Sequence, residues 1–140
     1  MAAEPAIRVR GVRKVFAAGG REVVALDGID LDVAAGELVC LLGPSGCGKS
    51  TLLNAVAGFS PPTSGAVVAG GREVSGPGPD RAMVFQEYAL FPWMTVERNV
   101  AFGLEVRGAG ASEIRATVDA LLAKLHLREF RPRFPKALPG

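Results

Sequence analysis

One eight-residue pattern constrains the fold of this chain more than any other feature. The stretch Gly43-Pro44-Ser45-Gly46-Cys47-Gly48-Lys49-Ser50 fits G-x-x-x-x-G-K-[S/T]. It lies between a short apolar run, 38–42, and a segment with one apolar face, 50–57. The sequence therefore predicts a buried strand, a glycine-rich loop and a helix in succession.

The pattern predicts a phosphate-binding loop. Glycines let the loop curl so that successive backbone N–H groups point into one concavity, which binds anions. The helix that follows directs its free N–H groups and the positive end of its dipole to the same place. We expect Lys49 to reach terminal phosphates and the Ser50 hydroxyl to bind Mg²⁺.

Phosphate binding alone leaves the activity open, because nucleotide hydrolases, kinases and GTPases share this loop. A guanine-reading N-K-x-D is absent, since the two asparagines, Asn54 and Asn99, are not followed by Lys. This absence disfavours a GTPase.

Composition excludes several other classes. The chain has 140 residues, of which 49% are hydrophobic and 21% charged, as in a folded domain of ordinary size. Sixteen Lys and Arg against fourteen Asp and Glu leave a net charge of +2, too small for a nucleic-acid footprint. We therefore expect no nucleic-acid partner.

Location follows from similar arguments. No apolar stretch approaches the ~18–20 residues that span a bilayer, and residues 1–10 contain Glu4 and Pro5 where a secretory signal needs an apolar region. Cys40 and Cys47, with one histidine, form neither a disulfide scaffold nor a Cys/His metal cluster. We expect a reduced, cytosolic protein.

Hydrophobic patterns predict the remaining elements. Strands are expected over 7–16, 23–33, 38–42 and 82–85, with a turn at 17–20 and a hairpin over 65–75 that turns at Gly70-Gly71. One helix is expected over 50–57, and a second runs from the N-cap Thr95 to about Val106. A last helix, capped by Ser112, carries an apolar stripe from Ile114 to Leu125. We interpret Val23–Asp27, four apolar residues before an acid, as a strand end, and His126 as a surface or half-buried residue of the last helix.

Three ordered stretches resemble the ATP-binding subunit of ABC transporters. They are GPSGCGKSTLL (43–53), AMVFQEYALFPWMTVERNV (82–100) and FPKALPG (134–140), the last of which looks like the approach to the signature motif LSGGQ. The stretch from FQEYALFPW to GLEVRG most resembles importers of the nitrate, sulfonate and taurine group. The resemblance covers nearly the whole chain.

The resemblance implies a fold and a domain organisation. The expected fold class is α/β, a P-loop NTPase core of the ABC ATPase type, truncated before the Walker B strand. Residues 1–140 would form a partial ATP-binding domain, with the β-subdomain and phosphate loop in 1–86. The Q-loop and the start of the helical subdomain would occupy 87–140.

The resemblance also assigns roles by position. Phe16 matches the aromatic residue that stacks on adenine, and Thr51 matches the hydroxyl that helps hold the α-phosphate. Gln86 matches the Q-loop glutamine, which approaches Mg²⁺ and couples the site to the membrane subunit. The implied nucleotide-binding residues are Phe16, Gly43, Pro44, Ser45, Gly46, Cys47, Gly48, Lys49, Ser50, Thr51 and Gln86, with Ser50 and Gln86 as the metal ligands.

A further set is implied to bind a partner. Phe91, Pro92 and Trp93 fall where the family docks its transmembrane subunit, and aromatic residues are enriched at interface hot spots. Packing in the core is the alternative for these three residues.

Several family features are missing from the sequence. After Asp27 no run of four apolar residues ends in Asp-Glu, so the catalytic glutamate and the Walker B aspartate have no candidate, and the switch histidine is not matched. Pro139 stands where the signature has Ser, which removes a hydroxyl and a backbone N–H. We expect this chain alone to be inactive as an ATPase, with no catalytic residue of its own.

The missing Walker B strand also has a structural consequence. In the family it neighbours the phosphate-loop strand, so 38–42 would present an unpaired apolar edge, which favours aggregation. We therefore expect the isolated chain to be poorly soluble or a molten globule.

The leading hypothesis is an ATP-binding subunit of an ABC importer at the cytoplasmic face of the membrane, driving uptake of a small anion such as nitrate, sulfonate or taurine. ATP and Mg²⁺ are the implied cofactors. The implied partners are permease subunits, a second ATP-binding subunit and, indirectly, a solute-binding protein. Alternatives are a truncated non-catalytic nucleotide-binding or docking module, a non-functional gene fragment and, least favoured, a small kinase.

Overall fold

Two long strands joined at Gly19-Gly20 dominate the first half of the molecule. In this computed structural model, which describes residues 4–86 and 89–138, the chain divides into two units, Met1–Met83 and Val84–Gly140. We call them the β unit and the helical unit, and each is described by itself. Pro139, singled out by the sequence, lies outside the described residues.

The β unit contains a four-stranded antiparallel sheet and one helix. The strands are β1 (Ile7–Ala18), β2 (Arg21–Val33), β3 (Ser64–Ala69) and β4 (Arg72–Glu73), in the order β2-β1-β3-β4. Helix α1 spans Lys49–Ala57. The predicted strands 7–16 and 23–33, the hairpin turning at Gly70-Gly71 and the helix 50–57 are thus confirmed, with ends shifted by one or two residues.

The sheet and α1 share one apolar core. Val9 and Val12 of β1, both 0% exposed, belong to the same buried cluster as Leu52 of α1. Leu26 and Val67 join the same cluster from the strands on either side. The core therefore fixes α1, and with it the glycine-rich loop that precedes the helix, to the sheet.

A bulge interrupts the pairing of β1 and β2. The register shifts between Val9 and Val12, and the Gly11 N–H donates to Asp30 Oδ1 at 2.8 Å. Beside it Arg10 Nη2 lies 2.5 Å from Asp32 Oδ2, and this hydrogen bond holds the pKa of Asp32 below its usual value. Because Val9 and Val12 are three residues apart, the bulge between them allows both side chains to belong to the same core.

Two predicted strands are wrong. Residues 38–42 and 82–85 have no strand assignment, and Leu38, Leu42 and Val84 are 90%, 92% and 95% exposed. A strand of a parallel sheet is stabilised by neighbours brought to it by crossover connections. None of the residues that the structure describes forms a bridge with either segment. Leu41 alone in the first run packs against the core of the β unit.

The helical unit is built around α2 (Val96–Val106) and α3 (Ala111–Lys124), followed by short 3₁₀ turns at Arg128–Phe130 and Pro135–Ala137. Its buried core consists of Val96, Ala101, Val118 and Leu122. Ile114, Leu127, Phe130 and Leu138 pack around that core. The apolar stripe predicted for the last helix is therefore its core-facing side, except that Leu121 and Leu125 are exposed.

An arginine ties the segment after α3 back to both helices. Arg131 pairs with Glu97 at 2.5 Å and with Asp119, and the Arg131 carbonyl accepts from the Glu97 N–H at 3.1 Å. The carbonyl of Arg133 accepts from the Val96 N–H at 2.8 Å. The first amides of α2, which have no partner inside the helix, are thus satisfied by this segment.

The helix ends differ in how well the sequence predicted them. Thr95 is the N-cap of α2, as predicted, and its Oγ1 accepts from the Arg98 N–H at 3.3 Å. The predicted cap Ser112 is wrong, because α3 begins after Gly110.

Helices α1 and α3 end in the same hydrogen-bond pattern. Phe59 N–H donates to the Asn54 carbonyl after α1, and Leu127 N–H donates to the Leu122 carbonyl after α3. The residue that turns left-handed is Gly58 in α1, with φ 85°, but His126 in α3, with φ 57°. His126 therefore lies just past the helix, exposed in a turn, and not on the helix as predicted.

The segment Val23–Asp27 lies inside β2 and is not the strand end that the pattern suggested. Among the residues described, no helix combines the length and the apolar character needed to cross a membrane.

Candidate nucleotide-binding site

The glycine-rich loop joins the apolar run 38–42 to the first turn of α1. Residues 43–47 are exposed, and Gly48 and Lys49 are partly buried where the loop meets the sheet. The first intrahelical hydrogen bond runs from the Leu52 N–H to the Gly48 carbonyl at 2.9 Å. The amides of residues 49–51 therefore have no acceptor inside the helix, as in helix N-termini that bind anions.

The helix N-terminus offers no negative group of its own. No side chain caps α1, and its first turn contains no acidic residue. A carboxylate there would compete with a bound anion for the same amides and the same end of the dipole. This N-terminus is therefore free to receive an anion from outside the helix.

Gly48 allows the loop to lie directly against β2. It has φ 94°, and a Cβ placed there would come within 2.5 Å of the Ala25 carbonyl oxygen and 3.0 Å of Leu26 Cδ2. Any larger residue would push the start of α1 away from the sheet. The second glycine of the pattern is thus required by position as well as by backbone conformation.

Lys49 folds back over the loop that precedes it. Its Nζ donates to the carbonyls of Gly43 and Pro44 at 2.8 and 2.7 Å, and Cys47 Sγ lies 3.4 Å from it. The ammonium group is therefore held at the loop, where a positive charge and the free amides act on the same ligand. The thiol of Cys47 is free and exposed.

The residue set fits a phosphate group and a hydrated Mg²⁺. The loop supplies backbone amides without a helical acceptor and the ammonium group of Lys49. Ser50, next to that lysine, is exposed, and its hydroxyl is a hard oxygen ligand of the kind that Mg²⁺ accepts beside phosphate oxygens and water. Thr51 follows it, partly buried on the same first turn.

Phe16 lies near the end of β1, paired with Val23 of β2, and 42% of its surface is exposed. Lys14 Nζ lies 5.2 Å from the centre of its ring and also donates to the Pro61 carbonyl at 2.6 Å. An exposed ring beside a cation is able to stack on a base. Its role toward adenine stays a prediction.

Gln86 and the residues predicted to dock a partner belong to the helical unit. Gln86 is exposed in a bend, at one end of the gap in the described residues. Pro92 and Trp93 are exposed, Trp93 by 68%. Phe91 is only partly exposed, and its ring packs against Phe102 with centroids 4.6 Å apart.

Sequence reasoning overlooked Asn99. Its side chain makes four hydrogen-bond contacts with the backbone of residues 91–95, the segment that contains Trp93. The sequence did offer one signal, since Asn99 is the fourth residue of a helix that follows a Pro-Trp pair and an N-cap. That position does not specify which carbonyls the side-chain amide contacts.

The fold and the loop together define a P-loop nucleotide-binding domain, and comparison with known proteins identifies its family. The ABC transporter family model matches residues 26–140. The chain belongs to the ABC transporter family.

Its relatives include named importer components. The taurine import ATP-binding protein TauB of Chromobacterium violaceum is 51% identical over 121 residues, which cover 86% of this chain and 46% of that protein. The nitrate import ATP-binding protein NrtD of Synechocystis is 44% identical over 134 residues, covering 96% and 50%. The chain therefore spans about half the length of these curated relatives.

A solved structure confirms the fold class. The ATP-binding cassette MJ0796, in a dimeric post-hydrolysis state bound to ADP and Pi, superposes with a TM-score of 0.82 at 29% identity. The match covers 95% of this chain and 63% of that one. The α/β fold of an ABC ATPase cassette is thereby established for the part of the cassette that this chain spans.

Proposed function

We propose that the chain is the ATP-binding part of an ABC importer and binds Mg-ATP through residues 43–51. The observation that carries the proposal is the Lys49 ammonium held over an open glycine-rich loop, beside the uncapped N-terminus of α1. The family membership and the names of the relatives support it.

Each residue of the proposed site has one task. Lys49 neutralises the terminal phosphates, the amides of the loop and the first turn hold phosphate oxygens, and Thr51 supports the α-phosphate. Ser50 would hold Mg²⁺, which lowers the charge on the phosphates during transfer. The role of Gln86 as a second metal ligand stays a prediction from the family resemblance. Phe16 would stack on the adenine ring and distinguish a nucleotide from bare polyphosphate.

Lys49→Ala tests phosphate binding. Fluorescent ATP-analogue binding should be measurable for the natural chain in Mg²⁺ and weakened at least about tenfold by the substitution, since a charge-assisted contact is lost. Lys136→Ala, which removes an exposed lysine of the helical unit, is the matched control and should bind normally. Equal binding by Lys49→Ala and the control would refute the proposed site.

Phe16→Ala tests the base contact separately. Base–aromatic stacking is worth about 1–3 kcal/mol, so ATP should bind about 5- to 150-fold more weakly. Tripolyphosphate, which has no base, should bind equally to both forms. Phe134→Ala, which removes an aromatic residue of similar exposure, 50%, in the helical unit, is the control.

We further propose that the subunit docks on permease subunits at the cytoplasmic face of the membrane through Trp93 and Pro92. Phe91 supports them from below through its contact with Phe102. The subunit would also pair with a second ATP-binding subunit, as the dimeric state of the similar MJ0796 cassette suggests. A solute-binding protein would deliver the substrate to the permease.

The proposed substrate is a small anion such as nitrate, a sulfonate or taurine, in line with the names of the relatives. Deletion of the gene in its host should abolish growth on one of these compounds as sole nitrogen or sulfur source. Growth unchanged on all three would refute this substrate class and leave the nucleotide site untouched.

A further inference from the structure

The segment 91–95 is a tight turn that leads into helix α2. The Met94 N–H donates to the Phe91 carbonyl at 3.0 Å, which closes a four-residue turn with Pro92 and Trp93 at its two central positions. Proline suits the first central position because its φ is fixed near −65°. We call residues 91–95 the aromatic turn.

Asn99 holds the aromatic turn from the first turn of α2. Its Oδ1 accepts from the Phe91 N–H at 2.8 Å, and its Nδ2 donates to the Phe91 carbonyl at 3.1 Å. The same Nδ2 also lies within hydrogen-bond distance of the carbonyls of Met94 at 3.1 Å and Thr95 at 3.0 Å, so its two N–H groups are shared among three acceptors. One amide thus binds the beginning and the end of the turn at once.

Only an amide of this length satisfies the arrangement. An aspartate would accept from the Phe91 N–H but, when ionised, would place a negative charge against three carbonyl oxygens. An alanine would remove the side-chain partner of the Phe91 N–H and of the Met94 carbonyl, and an unsatisfied buried polar group costs more than the hydrogen bond was worth. The carbonyls of Phe91 and Thr95 would keep their bonds from backbone N–H groups.

The aromatic turn also fixes the positions of its two rings. Phe91 is anchored on Phe102, at 4.6 Å, and the Trp93 ring lies 5.6 Å from Phe91. Trp93 is nevertheless 68% exposed, so it is held in place on one side and open to solvent on the other. Such an ordered but exposed aromatic residue is suited to anchoring a partner at low entropic cost.

We propose that Asn99 is a positioning residue: it fixes the aromatic turn so that Trp93 is presented in one orientation to the membrane partner. The inference rests on the docking role proposed above for Trp93. Asn99 is not among the residues proposed to bind nucleotide or metal, and its side chain would act through residues 91–95.

The first test uses Trp93 itself, because it is the only tryptophan in the chain. Asn99→Ala should lower the steady-state anisotropy of its fluorescence and raise the acrylamide quenching constant, with helical circular dichroism unchanged. Asn54→Ala, which alters the other asparagine in helix α1 of the β unit, is the matched control and should leave both signals unaltered. Unaltered anisotropy in Asn99→Ala would overturn the proposal.

Asn99→Asp provides a second test in case Asn99→Ala unfolds helix α2. A carboxylate in the first turn of α2 favours the helix through its dipole, so the helix should persist even if Asn99→Ala unfolds it. The aspartate should still release the turn, since it cannot donate. An aspartate variant with the anisotropy of the natural chain would show that the donated bonds do not matter, and would also overturn the proposal.

The second test measures binding to the membrane subunits of the Chromobacterium violaceum taurine importer in nanodiscs. If the ordered turn is populated only about one-tenth of the time in Asn99→Ala, the apparent Kd should rise about tenfold. ATP-analogue binding should stay normal. In a Trp93→Ala background, Asn99→Ala should cost nothing further, because a residue that acts only through Trp93 has nothing left to position.

These outcomes separate the two proposals. If Trp93→Ala leaves nanodisc binding unchanged, or the natural chain does not bind, the docking role fails while the anisotropy result still decides the effect of Asn99 on the turn. If Trp93→Ala abolishes binding but Asn99→Ala changes neither binding nor anisotropy, docking stands and the role of Asn99 fails.

Discussion

Gly48 and the Ala25 carbonyl are in such close contact that a single methyl group does not fit between them. An ideal Cβ on Gly48 would lie 2.5 Å from that oxygen. The start of helix α1 can therefore lie against the middle of β2 only because Gly48 has no side chain.

Gly48→Ala should destabilise the β unit by roughly 2–5 kcal/mol. A positive φ costs an alanine about 1–2 kcal/mol, and the clash adds an overpacking cost of about 1–3 kcal/mol. Gly46→Ala is the matched control, because Gly46 also has a positive φ, 81°, but its Cβ would meet nothing within 4 Å. Urea titration followed by far-UV circular dichroism measures both, and equal midpoints would mean that Ala25 imposes no constraint.

Leu122→Ala should destabilise the helical unit by about 2–5 kcal/mol, since Leu122 is 1% exposed in its core. Its neighbour Leu121, on the same helix, is 39% exposed and provides the control, for which a cost below about 1 kcal/mol is expected. Trp93 fluorescence during urea unfolding reports on this unit. A similar loss in both variants would contradict the core assigned to α3.

These two neighbours illustrate how far the sequence predicts this fold. The periodicity correctly identified α3 and its apolar stripe, because helix formation depends on residues three and four apart. It included Leu121 in that stripe, and only the packing of α2 and the segment after α3 determines which leucine is buried.

The failures have the same origin in non-local structure. The phosphate loop and α1 were predicted because their pattern is contiguous, whereas 38–42 and 82–85 were predicted as strands from apolar character alone. A parallel strand requires neighbours distant in sequence, and within the described part of the chain these segments have none. The hydrogen bonds of Asn99 were missed for a related reason, since the sequence does not show which backbone groups an asparagine side chain will contact.

Acid should weaken the helical unit through Glu97. The hydrogen bond from Arg131 holds the pKa of Glu97 below its ordinary value of 4.5, and the same contacts keep Arg131 charged by raising its pKa. A lowered folded-state pKa contributes stability that is present above the unfolded value and is lost as the pH falls through the folded value.

Thermal unfolding followed by Trp93 fluorescence between pH 6 and pH 3 measures this effect. We expect Tm to fall over the lower part of that range, by a few degrees at most, because the pair is partly exposed. Arg131→Met removes the partner and should flatten this dependence, while Arg128→Met, which changes a nearby exposed arginine, should keep it. A natural chain with no pH dependence below pH 5 would contradict the assignment.

His126→Gly should stabilise the helical unit. His126 occupies the left-handed position after α3, where its N–H donates to the Ala123 carbonyl at 3.2 Å and the Leu127 N–H donates to the Leu122 carbonyl at 2.8 Å. Gly58 occupies the same position after α1. The motif requires the conformation that glycine adopts without cost and that a histidine adopts at about 1 kcal/mol.

The expected net gain is about 0.5 kcal/mol at most, because the greater freedom of glycine in the unfolded chain offsets roughly 0.4–1 kcal/mol of the strain that is removed. His126→Ala separates backbone strain from loss of the imidazole, because alanine keeps the Cβ and should give no comparable gain. Leu127 would stay packed against the core in either variant, since the hydrogen bonds that place it come from the backbone. Equal urea midpoints for His126→Gly and His126→Ala would mean that the side chain, and not the positive φ, limits the stability of this helix end.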